Sequence, residues 1–428
     1  MIRNIILLVL LFVCDCNSII DAQAGTSKDT VSLDLRSADQ MFLNNNLLLL
    51  AEKYNVDASK ALILQAKLYP NPSFSYTNTI YNTANNNKYF DQSVKSDPAP
   101  EVTQLILLAG KIKKQVKIAE TNHKLAEDNL LDLLRTLKLA LHSGFFNVYY
   151  LQCSAKVYDE EIRSLKLIVK AYNLEQGKGY VSEADVIRIQ AQLYSLQAEY
   201  QSLKDNLNDL ESQLRLLLHS SSLTFFKPVV DSGIVKANPL SYSINTLIDS
   251  ANINRPDLSM AQYNLLLSHQ NYSLQKALAV PDITLGPGFV KQSNFIQNDL
   301  TYVIGFSLPL FNRNQGNIKN ARILIDYNNT QLEFAQKNLE EQVARGLQKA
   351  VDADNLYKEI DPTFTMKFDK LAKEMMQLYL KKDVGLLDFL NFYDSYKQNV
   401  VQLNTISFNK VNALENMNFL TGTTFFNK

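Results

Sequence analysis

The chain has 428 residues, 46% of them hydrophobic and 20% charged, with zero formal net charge. That balance excludes a basic nucleic-acid stripe and a charged interaction tail, and it is enough to build a sizeable core. Only 13 glycines and 11 prolines punctuate the chain, which favours long uninterrupted helices.

Residues 1–24 read as a secretory signal. Arg3 precedes an apolar run over 5–13, and Ala22-Gln23-Ala24 is a small-x-small cleavage site. A lipidated start at Cys14 or Cys16 and an uncleaved anchor are the alternatives. The apolar run is short for a bilayer span. After cleavage only Cys153 remains, so no intramolecular disulfide is expected. No later stretch has eighteen consecutive apolar residues.

A helical stretch runs from Ser37 to Tyr69 and stops at Tyr69-Pro70-Asn71-Pro72. Phe74, Tyr76 and Ile80 then alternate with Ser73, Ser75, Thr77 and Thr79, the period of a half-apolar strand. A polar loop leads to a second strand, expected over Val102–Leu108, which enters Ala109-Gly110-Lys111. From Gly110 to Gln176 there is no proline and one internal glycine, Gly144, and apolar or small residues keep an unbroken four-three spacing over 130–172, which predicts a rod of roughly 100 Å. Gly179 marks the turn, Ser182 is the expected N-cap, and a return helix runs to about His219. Its matching apolar seam, Val186 to Leu217, predicts an antiparallel coiled hairpin.

Ser220 to Ser243 reads as a linker. Asn245 to Ala279 is then helical with an interruption at Pro256, and Ile283, Leu285 and Phe289 mark a third strand. A polar loop is expected over 291–300, and a fourth strand carries Tyr302, Ile304, Phe306, Leu308 and Leu310 on one face. A second rod, 316–382, should be interrupted by Gly346 and Pro362. Its turn contains Gly385, with Asp388 as the expected N-cap of the last helix. Ser407 and Lys410 interrupt the seam of that helix.

The same order thus occurs twice. Gly110 and Gly316, Gly179 and Gly385, and Leu214 and Leu420 are each 206 positions apart, too far for a solenoid repeat. The expected domains are a first repeat over 25–226 (strand pair 72–108, hairpin 110–219), a linker or equatorial segment over 227–244, and a second repeat over 245–428 (strand pair 282–311, hairpin 316–421). The fold class is mainly α with membrane β. Four half-apolar strands cannot close a barrel, and a membrane sheet must close. Three copies would supply twelve strands around a lumen, continued by an α-helical tunnel.

These stretches resemble the outer-membrane efflux protein (TolC-type) family over essentially the whole mature chain. The resemblance is carried by Asn45-Asn46-Leu47-Leu48, Arg255-Pro256-Asp257-Leu258, Tyr69-Pro70-Asn71-Pro72 and Ala109-Gly110-Lys111. It is also carried by the tip patterns Gly179-x-Val181-Ser182-x-x-Asp185-Val186 and Gly385-Leu386-Leu387-Asp388-Phe389-Leu390. The Asn-Pro and Gly-Lys pieces, with Asp361-Pro362, look more like its heavy-metal efflux branch. The resemblance implies a homotrimer in the outer membrane of a Gram-negative cell, with a periplasmic extension. It also implies docking to a periplasmic adaptor and a proton-driven inner-membrane pump, the chain itself being a passive gated duct for small molecules or metal ions. By the same resemblance Asn391 and Asp394 would ring and constrict the tip, joined by Asp185; Asn391 is an amide where the family has an acid. Solvated or capping roles are the plain alternatives for these residues. A duct for type I protein secretion and a non-transporting periplasmic coiled-coil adaptor are the competing functions.

Nothing in the sequence points to an enzyme or a cofactor. Gly110-Lys111 lacks the flanking residues of a phosphate loop, and there is no HExxH. His123, His142, His219 and His269 are scattered without metal-ligand spacing.

Overall fold

The computed structural model describes residues 29–82, 88–90, 98–231, 233–292, 297–361 and 363–426. The expected signal segment, Pro362 and most of the loop after the first strand lie outside them. In chain order the first half is β1 (Asp29–Asp34), α1 (Leu35–Asn45), α2 (Leu47–Ala66), β2 (Ser73–Thr77), the short β3 (Tyr81–Asn82) and β4 (Lys88–Tyr89), β5 (Ala99–Ile106), α3 (Lys111–Gln176) and α4 (Glu183–Leu218). Then follow β6 (Thr224–Val229), α5 (Ile244–Asn254), α6 (Pro256–Leu278), β7 (Ile283–Gln292), β8 (Gln297–Phe306), α7 (Gln315–Lys358), α8 (Phe364–Leu380) and α9 (Leu386–Thr421).

The alternating segments form one antiparallel sheet in the order β2-β5-β7-β8. Each strand continues into a helix, and the helices keep the same lateral order: α2 packs on α3, α3 on α6, and α6 on α7. Along the first part of α3 its neighbours are α2 (Ser59 to His123) and α6 (Gln270 to Thr121). Farther along they are α4 (Tyr158 to Glu199) and α9 (Asn404 to Ser154). The 66-residue α3, roughly 100 Å long, is therefore flanked on each side by two shorter helices end to end.

The joints between those shorter helices explain two of the sequence motifs. Asn46 ends α1, caps α2 by accepting from Leu49 N, and donates to Leu217 O at the end of α4. Arg255 occupies the joint between α5 and α6, with Pro256 at the first helical position, and reaches Leu420 O near the end of α9. The helix expected over 37–69 is thus two helices, because the Asn46 side chain replaces the backbone ladder at the joint.

Other expectations are corrected. The expected linker contains β6, which pairs in parallel with β1 and buries Phe226. A parallel partner almost 200 residues away leaves no local signature. The second strand spans 99–106 rather than 102–108. The loop expected over 291–300 is mostly strand, with β7 reaching Gln292 and β8 starting at Gln297; Leu308 and Leu310 fall beyond β8. Gly346 does not interrupt α7. A Cβ there would collide with the Leu420 side chain and lie 3.0 Å from Met417 Sδ, so the glycine admits α9. The break in the second rod falls between Lys358 and Phe364. Lys410, read as a seam interruption, is buried and ion-paired with Asp354 at 2.7 Å.

Candidate functional site: the open sheet and the hairpin tips

The sheet has two chemically different faces. Register places Ile283 beside Phe306 and Ile106, Leu285 beside Ile304, and Phe74 beside Val102. Leu300 and Tyr302 on this apolar face are 77% and 81% exposed, so none of the described residues covers it. The other face carries Ser73, Ser75, Glu101, Thr103, Thr284 and Gly305, with Leu105 and Val303 among them. Among the described residues β2 and β8 each pair on one side only, so both edges are open. A Cβ at Gly286 would overlap Val102 O and lie 2.8 Å from Thr103 Cα. The seam between β5 and β7 therefore requires glycine at that position.

Below the sheet, β5 turns into α3 through Ala109 (φ 55°) and Gly110 (φ 68°). Lys111 is buried, with Nζ 2.6 Å from Asp282 Oδ1 and 2.8 Å from Val280 O; Leu108 N also donates to Asp282. The Ala-Gly-Lys motif is thus a clamp between the two strand pairs.

At the far end the two hairpins share one core of Tyr158, Ile162, Leu165, Ile189, Phe389 and Tyr393, among others. Tyr379 stacks on Phe389 at 4.1 Å and donates to Tyr172 Oη at 2.6 Å, joining α8 to α3. Lys397, 3% exposed, reaches Glu199 Oε2 on α4 at 2.8 Å and Asp394 Oδ1 at 2.9 Å. Glu161, 4% exposed, has one carboxyl oxygen without a partner. Burial, aided by Asp394 and Glu199 and opposed by Lys397, pushes its carboxyl up to about 8.

The expected tip residues fall around this cluster. Asp394 is half-buried and held by Lys397 and Gln398, whereas Asn391 is exposed. Asp185 accepts from the Ser182 hydroxyl at 2.7 Å, and Ser182 Oγ caps α4 by accepting from Asp185 N. Gly179 is the left-handed residue of the first turn (φ 78°). In the second turn that conformation belongs to Lys382 (φ 65°), while Gly385 is extended and is itself the N-cap. Asp388 is therefore not a cap: it occupies the third helical position, as Asp185 does in α4. The seam register of 206 is one helical turn off the turn register of 203. A three-residue slip nearly preserves a helical face, so apolar spacing alone does not detect it. Lys397, Glu199 and Glu161 were missed. No spacing rule marks a lysine beside a seam as the link between two hairpins.

A second buried polar cluster lies midway. His142 on α3 has Nε2 2.8 Å from Asp39 Oδ1 on α1 and Nδ1 2.9 Å from Glu415 Oε2 on α9. Burial lowers the imidazole pKa, but the two carboxylates outweigh it and raise it to about 9. Among the described residues no group of three His, Cys, Asp or Glu is placed to hold a metal ion, and no helix is long and apolar enough to cross a membrane.

The fold defines the class. The crystal structure of the Campylobacter jejuni CmeC outer membrane channel superposes with a TM-score of 0.74 at 15% identity, covering 92% of this chain and 86% of that one. CusC gives a TM-score of 0.71 at 17% identity, covering 91% and 92%. The open-state MtrE outer membrane channel of Neisseria gonorrhoeae gives 0.66 at 16%, covering 92% and 89%.

Sequence makes the assignment more specific. Residues 39–219 match the model of the outer membrane efflux protein family. Cobalt-zinc-cadmium resistance protein CzcC of Cupriavidus metallidurans is 20% identical over 292 residues, which is 68% of this chain and 66% of that protein, just under two thirds of its length. The chain carries the outer membrane efflux protein signature in its first half and the fold of the family's channels over nearly all of its length.

Proposed function

We propose that three copies join β8 of one to β2 of the next, closing a twelve-stranded barrel over a helical tunnel, and that the assembly is the passive exit duct of a tripartite efflux system. The observation that carries this reading is the four-stranded sheet with two open edges and an uncovered apolar face. In hydrocarbon each unpaired backbone group costs several kcal/mol, so a lone copy is unfinished. A closed ring of identical copies removes both edges. The outer helices α2 and α7 of the layer close in the same way. The matched order of elements in the two halves fits a duplicated unit.

In this reading the hairpin tips meet a periplasmic adaptor and an inner-membrane pump, which supplies the energy. The likeness to a cobalt-zinc-cadmium resistance protein favours divalent metal ions as cargo. Asp394, Asn391 and Asp185 border the exit from the pump side. The links from Tyr379 to Tyr172 and from Lys397 to Glu199 hold the two hairpins together there. The test is the mass of the detergent-purified protein, together with its conductance in a planar bilayer. A trimer with ohmic conductance is expected; a water-soluble, non-conducting monomer would end the proposal. Asp394→Ala should lower cation preference if that carboxylate borders the pore, and an unchanged reversal potential removes it from the constriction.

A further inference from the structure

The chain has no net charge, yet its charge is unevenly placed. In the four strand-helix junctions with the helix turns beside them, 58–69, 108–119, 266–282 and 307–325, with Asp57, Glu120 and Asp326 just beyond, ten Lys and Arg stand against one carboxylate, Asp282. That carboxylate is already taken by Lys111. Lys113, Lys114 and Lys117 have no ion-pair partner among the described residues. They line an open hollow of about 440 Å³ between α3 and α6, completed by His269, Gln270 and Ser273. Three lysines in the first two turns of a helix oppose its dipole, so helix stability does not explain them.

The hollow lies on a definite surface of the helical layer. Lys111 shares a hollow at the base of the sheet with Leu105, Asp282, Thr284 and Gly305, in the register of the polar sheet face, and with Phe306 at the sheet's end. Ile118 and Asn122, seven and eleven residues after Lys111, lie on its side of the helix and line a hollow with Leu62 and Leu274. Lys113, Lys114 and Lys117 centre about 140° around the helix from Gln115, Ile118, Ala119 and Asn122, which line that second hollow, so their own hollow opens towards the other surface of the layer. That surface continues the apolar sheet face. Exposed Tyr69 and Phe311 stand at the same strand-helix junctions, where a barrel has its interfacial aromatic residues.

We infer that Lys113, Lys114 and Lys117, with His269, form a binding site for the phosphate headgroup of an anionic phospholipid in the periplasmic leaflet. The inference rests on the outer-membrane duct reading, since it needs the apolar face to be the lipid face. The hollow begins within about two helical turns of the last strand residue, at the depth where headgroups lie. Basic residues at such a boundary gain from anionic lipid, each contributing a separate increment. Lysine suits the role as a point charge at the end of a flexible stem, and the side-chain amide and hydroxyl of Gln270 and Ser273 can donate to phosphate oxygens.

The test uses the full chain in vesicles of phosphatidylethanolamine with or without phosphatidylglycerol. Conductance is recorded in each, and lipid retained after solubilisation is measured by native mass spectrometry. The wild type should retain phosphatidylglycerol several-fold over its share of the vesicle. A Lys113→Gln/Lys114→Gln/Lys117→Gln variant should lose that enrichment while still inserting and conducting. Should the triple variant fail to assemble, the single changes should each lower enrichment in part, and equal retention by all of them overturns the site. A wild type that inserts and conducts without enriching the anionic lipid overturns the headgroup site and leaves the duct standing. Failure to insert in either vesicle overturns the duct reading instead. Displacement of the lipid by millimolar inorganic phosphate would assign the hollow to a soluble anion and not to the membrane.

Discussion

Glu161 and His142 show the same sign of proton linkage, the first as a penalty that grows with pH and the second as a stabilisation that fades with it. Glu161 is pushed from 4.5 to about 8, so the folded state holds a proton that the unfolded chain has released. Its penalty is absent below about pH 4.5 and grows as pH rises towards 8. Hydrogen-exchange protection of α8 and α9 should therefore fall between pH 5 and 8, and Glu161→Gln should flatten that dependence. His142 is raised from 6.5 to about 9, so its contribution is complete below pH 6.5 and lost as pH passes through 9. Replacing it with Gln should cost about 1–3 kcal/mol at pH 6, read by thermal unfolding in detergent, and much less at pH 10. Lys397→Met strands Glu199 and Asp394. Because both are partly exposed, the loss should fall below the ~3–5 kcal/mol of a fully buried broken pair. Neither cluster was legible in the sequence. Glu161, Lys397 and His142 are ordinary polar positions on long helices until helices some forty to 270 residues away meet them.

Among the elements, the helical hairpins were the most legible and the sheet edges the least. Four-three spacing sustained over 130–172 has few alternatives, and the two return helices, α4 and α9, are both 36 residues long. Strand ends depend on partners, which explains the shifts at β5 and β8. The two interhelical glycines separate by how much room each has. A Cβ at Gly144 would sit 3.2 Å from Leu214 Cδ2, whereas one at Gly346 would collide with Leu420. Gly144→Ala should be neutral or stabilise slightly through helix propensity. Gly346→Ala should lose about 1–3 kcal/mol from overpacking. Thermal unfolding of the two variants side by side checks the ordering. In the sheet, Gly286→Ala should lower the yield of the proposed trimer in detergent size-exclusion, since its Cβ would meet backbone that cannot move without breaking the β5–β7 ladder.

At the scale of the whole molecule, the sheet order and the helix order are the same sequence of neighbours carried through one wall. Among the described residues the wall begins and ends with strands paired on one side only, which is the basis of the proposed ring. The β1–β6 pair and the clusters at Asn46, His142 and Arg255 bind the upper and lower helices into continuous columns.

By itself the sequence determined the four strands of the sheet and the long helices, their order, and the apolar stripe on each, because those depend on period and on local breakers; β1 and β6 it did not show. It also carried the family motifs, although not their work as joints and clamps. Only the tertiary structure decided which strand lies beside which, where the parallel β1–β6 pair closes, and which turn residue is left-handed. Register between distant segments is fixed by side chains meeting across space, and a one-turn slip at the tips is invisible to spacing alone.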